Sequence, residues 1–471
     1  MLAAGTLCGC SGRTPSPAGT EAPSVTTADN RQTIETGTKE LMTNDSSSGE
    51  KITDGTSAVI SPEDTETMTE PSATVTETET TAEHMTSAEK PETTEEKPQI
   101  PERDGFNGLC FAIPGAQGRG LDTDRLFDLV GAMNAGALRN WMHATEILNS
   151  PTEINEKQYK RQKNYIAALR ERGVTKIVGM SHYWFWPEGY DCTDHAAVPY
   201  YSTNPSSDFR KWLAVYEQTW YTMASIFPEI DCWEVGNEFN MDSFLHPRNY
   251  YSTKTPFTLA EKAQIVTEMC YAASRAIHKV NPDAAVIFPG MAPEGGFTVM
   301  EKFLGLVYDN IESGDYGNGS TDPDDYFDAV AWHCYVFVKF DIEKWVEWNN
   351  AVYAVMKKHG DGDKKVFLTE FGFSDGGKQE TDAEQGEYLK QIYEACRTRM
   401  TYVESIFPFR LIEDETAASW GGTIEIYYGM FRVFGLSNFG AKEKAKALCE
   451  CYGGDVGSLD MYIGNNSVYP R

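Results

Sequence analysis

The stretch Trp-Glu-Val-Gly-Asn-Glu-Phe-Asn at 233–240 places a carboxylate directly after a short, mostly apolar run. The stretch Phe-Leu-Thr-Glu-Phe-Gly at 367–372 repeats this arrangement further along the chain. Each apolar run predicts a buried strand, with Glu238 and Glu370 at the strand ends. Because the two strands occupy matching positions in a repeating strand–helix pattern, closure into a barrel would bring both carboxylates to one end.

The strand–helix alternation extends over residues 104–452. Apolar runs with β-branched or aromatic residues predict strands, and longer runs with apolar positions at i, i+3 and i+4 predict helices. Several helices begin at a plausible capping residue, such as Thr258 or Thr381. The predicted strands are 106–113, 136–142, 174–180, 231–236, 284–289, 327–334, 365–370 and 403–411, and the predicted helices include 124–135, 155–172, 258–280, 342–359, 382–400 and 441–452.

Eight strands alternating with helices predict an α/β fold of the (β/α)8 TIM-barrel type. The alternative is a doubly wound open sheet, in which ligand sites favour a glycine-rich first turn. The sequence Gly-Ala-Gln-Gly-Arg-Gly at 115–120 follows the first predicted strand, but its glycine spacing differs from that fingerprint. We therefore expect the barrel, with its functional residues at the C-terminal ends of the strands.

Polar and aromatic residues occur at those predicted strand ends and in the loops that follow them. Aromatic faces suit sugar rings, and the chain is 12% aromatic with ten tryptophans. The candidates besides the two glutamates are Arg139, His182, Trp184, Trp186, Asn237, His333, Tyr335 and Trp420.

Together these residues resemble clan A glycoside hydrolases, the superfamily of retaining β-glycosidases that includes families 5 and 39. The resemblance covers about residues 104–452 and implies that Glu238 is the general acid/base and Glu370 the nucleophile. It also implies that Arg139 and Tyr335 hold Glu370 ionised, and that Asn237 donates a hydrogen bond to the sugar 2-hydroxyl.

The same resemblance places His182 and His333 beside the scissile bond and gives Trp184, Trp186 and Trp420 a sugar-stacking role. Arg139 as a structural ion-pair partner, and the histidines, Tyr335 and the tryptophans as packing residues, are the alternatives. Families of this clan often end strand eight with a tryptophan, whereas this sequence has Phe409 there. Either Phe409 or Trp420, in the predicted loop 412–435, replaces that platform, or the subsite differs.

Composition and spacing exclude several other classes of function. A formal charge of −29 argues against nucleic-acid binding, which uses basic patches. The histidines and cysteines show no HExxH or CxxC-type spacing, so neither a metal nor another cofactor is implied. The cysteines of the barrel region fall within predicted strands and helices, which indicates small buried hydrophobes rather than a disulfide framework. Glu294, after the fifth strand, is a rival acid without a matching motif.

The N-terminal region predicts a surface anchor. Leu-Cys-Gly-Cys at 7–10 resembles a lipobox, with Cys10 as the lipidated residue of a signal remnant at 1–10, although a basic n-region is absent. Residues 11–100 are rich in Thr, Ser, Glu and Pro, which predicts a disordered linker, or alternatively a solubility tail. Such a chain spans roughly 50 Å root mean square. We expect a catalytic domain at 101–471, monomeric and extracellular, attached to the membrane only through the lipid.

The leading functional prediction is a cell-surface retaining β-glycosidase acting on a β-linked glycan. An endo-acting, glucanase-like or mannanase-like enzyme is favoured because a tethered protein suits partial digestion of polymers. The alternatives are an exo-acting β-xylosidase-like enzyme, a transglycosylase with the same residues, and a non-catalytic carbohydrate-binding lipoprotein. The last would be expected to lack one of the two glutamates, and both are present.

Overall fold

The computed structural model describes residues 103–111, 118–187, 194–376 and 380–459, without the side chains of residues 419–421 and 423. Within these ranges, eight parallel strands lie side by side in chain order. The strands are β1 (Gly108–Phe111), β2 (Ala137–Trp141), β3 (Lys176–Met180), β4 (Cys232–Glu234), β5 (Ala285–Ile287), β6 (Ala329–His333), β7 (Lys365–Phe371) and β8 (Val403–Pro408).

The last strand lies beside the first, which turns the sheet into a barrel. Asn107 forms a parallel bridge with Ile406, and the Ile406 amide donates to the carbonyl of Phe106 at 3.1 Å. After the end of β8, the Leu411 amide donates to the carbonyl of Cys110 in β1 at 3.0 Å. The fold is therefore the expected (β/α)8 TIM barrel, and each predicted barrel strand has a counterpart at nearly the predicted bounds.

The helices that follow successive strands cover the outside of the barrel. Their bounds are α1 (Thr123–Ala132), α2 (Glu156–Glu171), α3 (Asp208–Ile226), α4 (Leu259–His278), α5 (Phe297–Ser313), α6 (Ile342–Lys358), α7 (Asp382–Thr398) and α8 (Glu443–Cys451). Shorter elements occur between these strands and helices. The short helices are Ala144–Ile147, Tyr250–Thr253, Ala418–Ile426 and Val456–Leu459, and the 3-10 turns are Gly317–Gly319, Pro323–Asp325 and Glu415–Ala417. The short strand pairs are Leu148–Ser150 with Glu153–Ile154, Ala197–Val198 with His246–Pro247, and Phe431–Gly435 with Asn438–Ala441.

The helix starts follow from local sequence. Thr258 and Thr381 each cap a helix in a complete capping box. The threonine hydroxyl accepts a hydrogen bond from the amide three residues later, and the side chain of the glutamate at that position accepts one from the threonine amide. At the other end of α2, Gly173 adopts a φ of 88°, the left-handed conformation that glycine accommodates without a steric penalty. The predicted caps and the predicted stop are therefore confirmed.

Alternation along the strands divides the core into two regions. The larger region lies between strands and helices, whereas the smaller one fills the barrel interior. Small interior residues such as Cys110, Ala137 and Val178 leave room for larger ones such as Phe367 and Phe407. Arg139 lies two residues after Ala137 on β2 and therefore shares its inward face.

Two further expectations can be compared with the structure. Among the described cysteines, six are buried and none forms a disulfide, as expected; Cys192 lies outside the described residues. The segment 412–435 is not a loop throughout, because it contains the helix Ala418–Ile426 and the strand Phe431–Gly435. No helix in the described part of the chain combines the length and apolar character that a membrane crossing requires.

Candidate active site

Arg139 is the centre of a hydrogen-bond network at the C-terminal end of the barrel. Its guanidinium group is fully buried and donates to Glu234 Oε2 from Nε at 2.5 Å and to Glu370 Oε1 from Nη1 at 2.5 Å. Nη2 donates to Asn237 Oδ1 at 2.8 Å and to Glu234 Oε1 at 3.2 Å. One cation thus holds two carboxylates and an amide, and these charges raise the Arg139 pKa although burial opposes this.

Glu370 lies at the end of β7, where three groups stabilise its charge. Besides the bond from Arg139, the Tyr335 hydroxyl donates to Glu370 Oε2 at 3.0 Å, and His333 Nδ1 lies 3.7 Å from the same oxygen. Burial alone would raise the pKa of Glu370, but His333, Arg139 and Tyr335 together lower it below the ordinary value. The site therefore keeps this carboxylate ionised.

Glu238 follows β4 in a left-handed backbone conformation, with φ of 51°. Such a conformation costs a non-glycine residue of the order of 1–3 kcal/mol, and it is typical of functional sites. The Glu238 amide donates to the Gly290 carbonyl at 2.7 Å, which holds the turn against β5. Its side chain is 14% exposed, and His333 Nδ1 lies 2.7 Å from its Oε1.

His333 links the two glutamates. Burial lowers the pKa of its ring, but the charge of Glu370 and the hydrogen bond to Glu238 raise the pKa above its ordinary value. A ring nitrogen of His333 and one carboxylate oxygen from each of Glu238 and Glu370 lie within 4.8 Å of one another. The barrel thus brings together the two carboxylates that sequence reasoning selected.

Gly290 allows this close packing. A Cβ atom at this position would lie 2.5 Å from His333 Nε2 and 2.7 Å from Glu234 Oε1. Its amide donates to Glu234 Oε1 at 3.1 Å. Any side chain at position 290 would therefore displace the residues that support the site.

The family of the chain follows from a comparison with known proteins. Residues 102–402 match the family model Cellulase (glycosyl hydrolase family 5). The chain belongs to glycosyl hydrolase family 5. Glu238 follows strand β4 and Glu370 lies in strand β7 of this family 5 barrel, and the protein is a glycoside hydrolase that acts on a carbohydrate.

Solved structures of related enzymes share the fold. A family 39 glycoside hydrolase from Bacteroides cellulosilyticus WH2 superposes with a TM-score of 0.52 at 17% identity, over 74% of this chain and 64% of that one. A family 1 β-glucosidase from Thermotoga maritima superposes with a TM-score of 0.53 at 13% identity, over 75% of this chain and 98% of that one. At such identities the likeness shows the fold alone. A comparison with curated proteins finds no match.

The remaining predicted residues of this family 5 barrel lie at different depths. Asn237 is buried, with Oδ1 bonded to Arg139. His182 is buried against the rings of His143, Tyr183 and Phe244. Burial, with smaller contributions from His143, His195 and Arg139, lowers the pKa of His182 well below its ordinary value. His182 is therefore neutral at pH 7.

The structure changes the interpretation of the tryptophans. Trp184 is 2% exposed and packs against Tyr216, Trp220 and Phe239, so the expectation that it stacks on a sugar is wrong: it belongs to the core outside the barrel. Trp186 is covered by the Arg248 guanidinium, 4.5 Å from the ring centroid.

Trp186 and Arg248 line a separate cavity of about 300 Å³ that none of the catalytic candidates lines. The stacking role of Trp186 stays a prediction. The side chain of Trp420 lies outside the described part of the structure.

Several site residues escaped sequence reasoning. Glu234 could have been found, because a carboxylate inside a buried strand requires a cationic partner, and Arg139 is a buried cation on β2, two strands away in the sheet. Tyr428 packs its ring 5.5 Å from Tyr335 and 5.8 Å from Phe409, and Phe337 stacks against Tyr335 at 6.3 Å while remaining 59% exposed. These contacts have no signature in the sequence.

Two groups of described residues could offer three ligand atoms to a metal ion: Glu238, His333 and Glu370, and Asp309, Glu312 and His359. In the first group, hydrogen bonds join His333 to Glu238 and both Arg139 and Tyr335 to Glu370. A buried guanidinium beside these atoms disfavours a second cation. The first group therefore fits acid–base and nucleophilic roles better than metal binding.

Proposed function

We propose that the protein is a retaining β-glycosidase that hydrolyses O-glycosidic bonds of a β-linked glycan by double displacement. The main support for this proposal is that carboxylate oxygens of Glu238 and Glu370 lie within 4.8 Å of each other. Retaining enzymes have carboxyl groups about 5–5.5 Å apart, whereas inverting enzymes need about 6.5–9.5 Å to admit a water molecule. The short separation supports retention.

In this proposal Glu370 attacks the anomeric carbon and forms the glycosyl-enzyme intermediate. A nucleophilic carboxylate must be ionised, and the lowered pKa of Glu370 supports that role. Arg139 and Tyr335 also orient it, each through one of its two oxygens. Glu370 thus presents one defined geometry to the sugar.

Glu238 donates a proton to the leaving group and then activates the water that hydrolyses the intermediate. His333 holds Oε1 of Glu238, which leaves Oε2 to carry the transferred proton. Asn237 has its Oδ1 bonded to Arg139, so its amide group is free to donate to the sugar 2-hydroxyl. Such a bond strengthens in the transition state.

The substrate class can be narrowed by the family description. Because the matching family model is called Cellulase, a β-1,4-glucan is the first substrate to test. We propose endo-cleavage of a polymer, and the length of the released products distinguishes this from exo-cleavage. Mannan, xylan and galactan are the other polysaccharides to test as substrates.

We also propose that the enzyme acts at the cell surface, held by a lipid on Cys10 and a linker at 11–100. The sequence supports this, and both segments lie outside the described residues. Metabolic labelling with palmitate should mark the full chain but not Cys10→Ser. Equal labelling of both would contradict the anchor.

The nucleophile is tested with Glu370→Ala. This variant should lose hydrolysis while retaining glycan binding, because the sugar loses its covalent partner but keeps its other contacts. Azide should partly restore cleavage and give an α-glycosyl azide, since it enters from the face that Glu370 used. Full activity of the variant would exclude Glu370 as the nucleophile.

The acid/base role is tested with Glu238→Ala on two kinds of substrate. Aryl glycosides with good leaving groups should lose less activity than natural glycans, because they need less protonation of the leaving oxygen. Equal losses on both substrates would exclude Glu238 as the general acid.

A further inference from the structure

The loop between β6 and α6 exposes an aromatic side chain next to the active site. Phe337 is 59% exposed, and the next residue, Val338, is 60% exposed. A single exposed apolar residue is ordinary at a protein surface. Phe337 differs because its ring stacks on that of Tyr335, with centroids 6.3 Å apart and planes at 21°. The Tyr335 hydroxyl in turn donates to Glu370, so two contacts connect this exposed ring to the proposed nucleophile.

The loop that carries Phe337 is held at both of its ends. At its start, the Cys334 amide donates to the carbonyl of Glu370 at 3.0 Å, which ties the loop to β7. Near its end, Phe340 is buried, and its ring packs edge-on against Phe373 in the segment after β7, with centroids 5.3 Å apart. Phe337 is therefore exposed from an anchored loop and has a defined place beside the site.

The sequence left open which aromatic residue offers a surface to the sugar. Phe409, one of the two candidates, is buried in the barrel interior, and its ring packs against those of Tyr335 and Tyr428. The side chain of the other candidate, Trp420, lies outside the described residues. Among the described aromatic residues that contact Tyr335, Phe337 alone is mostly exposed.

We propose that Phe337 is a substrate-binding residue of the same active site, whose ring stacks on a sugar unit of the glycan. The C–H groups on one face of a pyranose ring form an apolar surface with partial positive charge, which the negative face of an aromatic ring attracts. Stacking also removes apolar surface of Phe337 from water, which favours binding. Because Tyr335 separates Phe337 from Glu370, the stacked unit is the neighbour of the one that Glu370 attacks. This role deepens the proposed function and rests on it.

The test is a calorimetric titration of β-1,4-linked tetraoses of glucose, mannose and xylose into Glu238→Gln, with and without a change at Phe337. The Glu238→Gln background slows turnover, so that binding is measured by itself. Adding Phe337→Ala should weaken binding of the preferred tetraose about tenfold, the effect of withdrawing about 60 Å² of apolar contact. Adding Phe337→Tyr keeps the aromatic face and should retain the affinity.

The matched control is Leu436→Ala in the same background. Leu436 is 61% exposed in the turn between the strands Phe431–Gly435 and Asn438–Ala441, and its removal should leave the affinity unchanged. Since Phe337 is also mostly exposed, Phe337→Ala should unfold at the same temperature as its background, which separates lost binding from lost folding.

Equal affinities of the four proteins would overturn the stacking role of Phe337 and leave the catalytic proposal intact. A loss of affinity in Phe337→Tyr as large as that in Phe337→Ala would also overturn this role. Retained turnover by Glu238→Gln would instead refute the proposed mechanism, and no binding of any tetraose would refute both.

Discussion

At the scale of single residues, Glu234 holds Arg139 in place below the two candidate catalytic glutamates. It is fully buried and receives two hydrogen bonds from Arg139 and one from the Gly290 amide. Because Arg139 is shared between Glu234 and Glu370, its positive charge lies beside Glu370 while the guanidinium group remains paired with both carboxylates. Removing one partner of such a network leaves an uncompensated charge, which costs more than the pair itself contributes.

We therefore expect Glu234→Leu to lower the free energy of unfolding by about 3–5 kcal/mol, because the buried Arg139 guanidinium loses a carboxylate partner. Urea denaturation monitored by tryptophan fluorescence measures this change. The control is Glu450→Gln, which removes an exposed ion pair with Lys390 and should cost less than about 1 kcal/mol. Equal effects of the two changes would contradict the supporting role of Glu234.

Tyr335 lowers the pKa of Glu370, and this has a consequence for activity. A lowered pKa means that Glu370, the proposed nucleophile, loses its charge only as the pH falls below the ordinary glutamate pKa near 4.5. Tyr335→Phe removes a hydrogen bond to the ionised form, so the pKa should rise and the acidic limb of kcat/KM should move to higher pH.

This shift can be followed with an aryl glycoside, beside Tyr221→Phe on the outer helix α3 as the control. An unchanged acidic limb in Tyr335→Phe would show that its hydroxyl does not tune Glu370.

At the scale of secondary-structure elements, two buried lysines join the loops after β7 and β8. Lys442 Nζ lies 2.8 Å from Asp375 Oδ2 and 2.6 Å from Glu413 Oε1, and Lys444 Nζ lies 3.2 Å from Asp375 Oδ1. Burial lowers the pKa of Lys444 to about 8 despite these carboxylates. Both lysines also donate to the carbonyl of Tyr427, which precedes Tyr428 of the site wall.

Asp375→Asn should loosen this wall, because it takes a carboxylate from two buried ammonium groups at once. We expect faster hydrogen exchange across residues 412–430 and a higher KM, while exchange in β2–β4 stays unchanged. Asp363→Asn, an exposed aspartate before β7, is the control. Protection of residues 412–430 equal to that of the parent protein would contradict the role of Asp375 as the link.

At the scale of the whole molecule, the barrel is closed by contacts between its first and last segments. The Ser405 hydroxyl donates to the Gly105 carbonyl at 2.7 Å, and Asn107 pairs with Ile406. Gly105 and Asn107 precede β1, and Ser405 and Ile406 belong to β8. The candidate site residues Arg139, Glu238 and Glu370 lie in the barrel that these contacts close.

We expect a protein comprising residues 100–471 to hydrolyse a soluble oligosaccharide with the kcat/KM of the full chain, because Arg139, Glu238, Tyr335 and Glu370 all lie in the barrel. Parallel assays of the two proteins on the same substrate measure this. A tenfold lower kcat/KM for the shorter protein would show that residues 1–99 take part in catalysis or folding.

Local patterns in the sequence determined the strand order, the barrel, the capping boxes and the choice of Glu238 and Glu370. They could do so because strand periodicity and caps depend on residues a few positions apart. These local patterns did not predict how deeply each side chain is buried or what it contacts. Trp184 and Trp186 are two positions apart in one segment, yet the first packs in the core and the second lines a cavity.

Only the tertiary structure decided which charges meet. Arg139 binds Glu234 and Glu370, which are 95 and 231 positions away. From the predicted loop 412–435, Tyr428 packs against Tyr335, whose hydroxyl donates to Glu370. Such contacts follow from barrel closure, which brings the ends of distant strands to one mouth. The sequence by itself determined the fold and its two central carboxylates, whereas closure of the barrel determined their partners and hence the ionised state of Glu370.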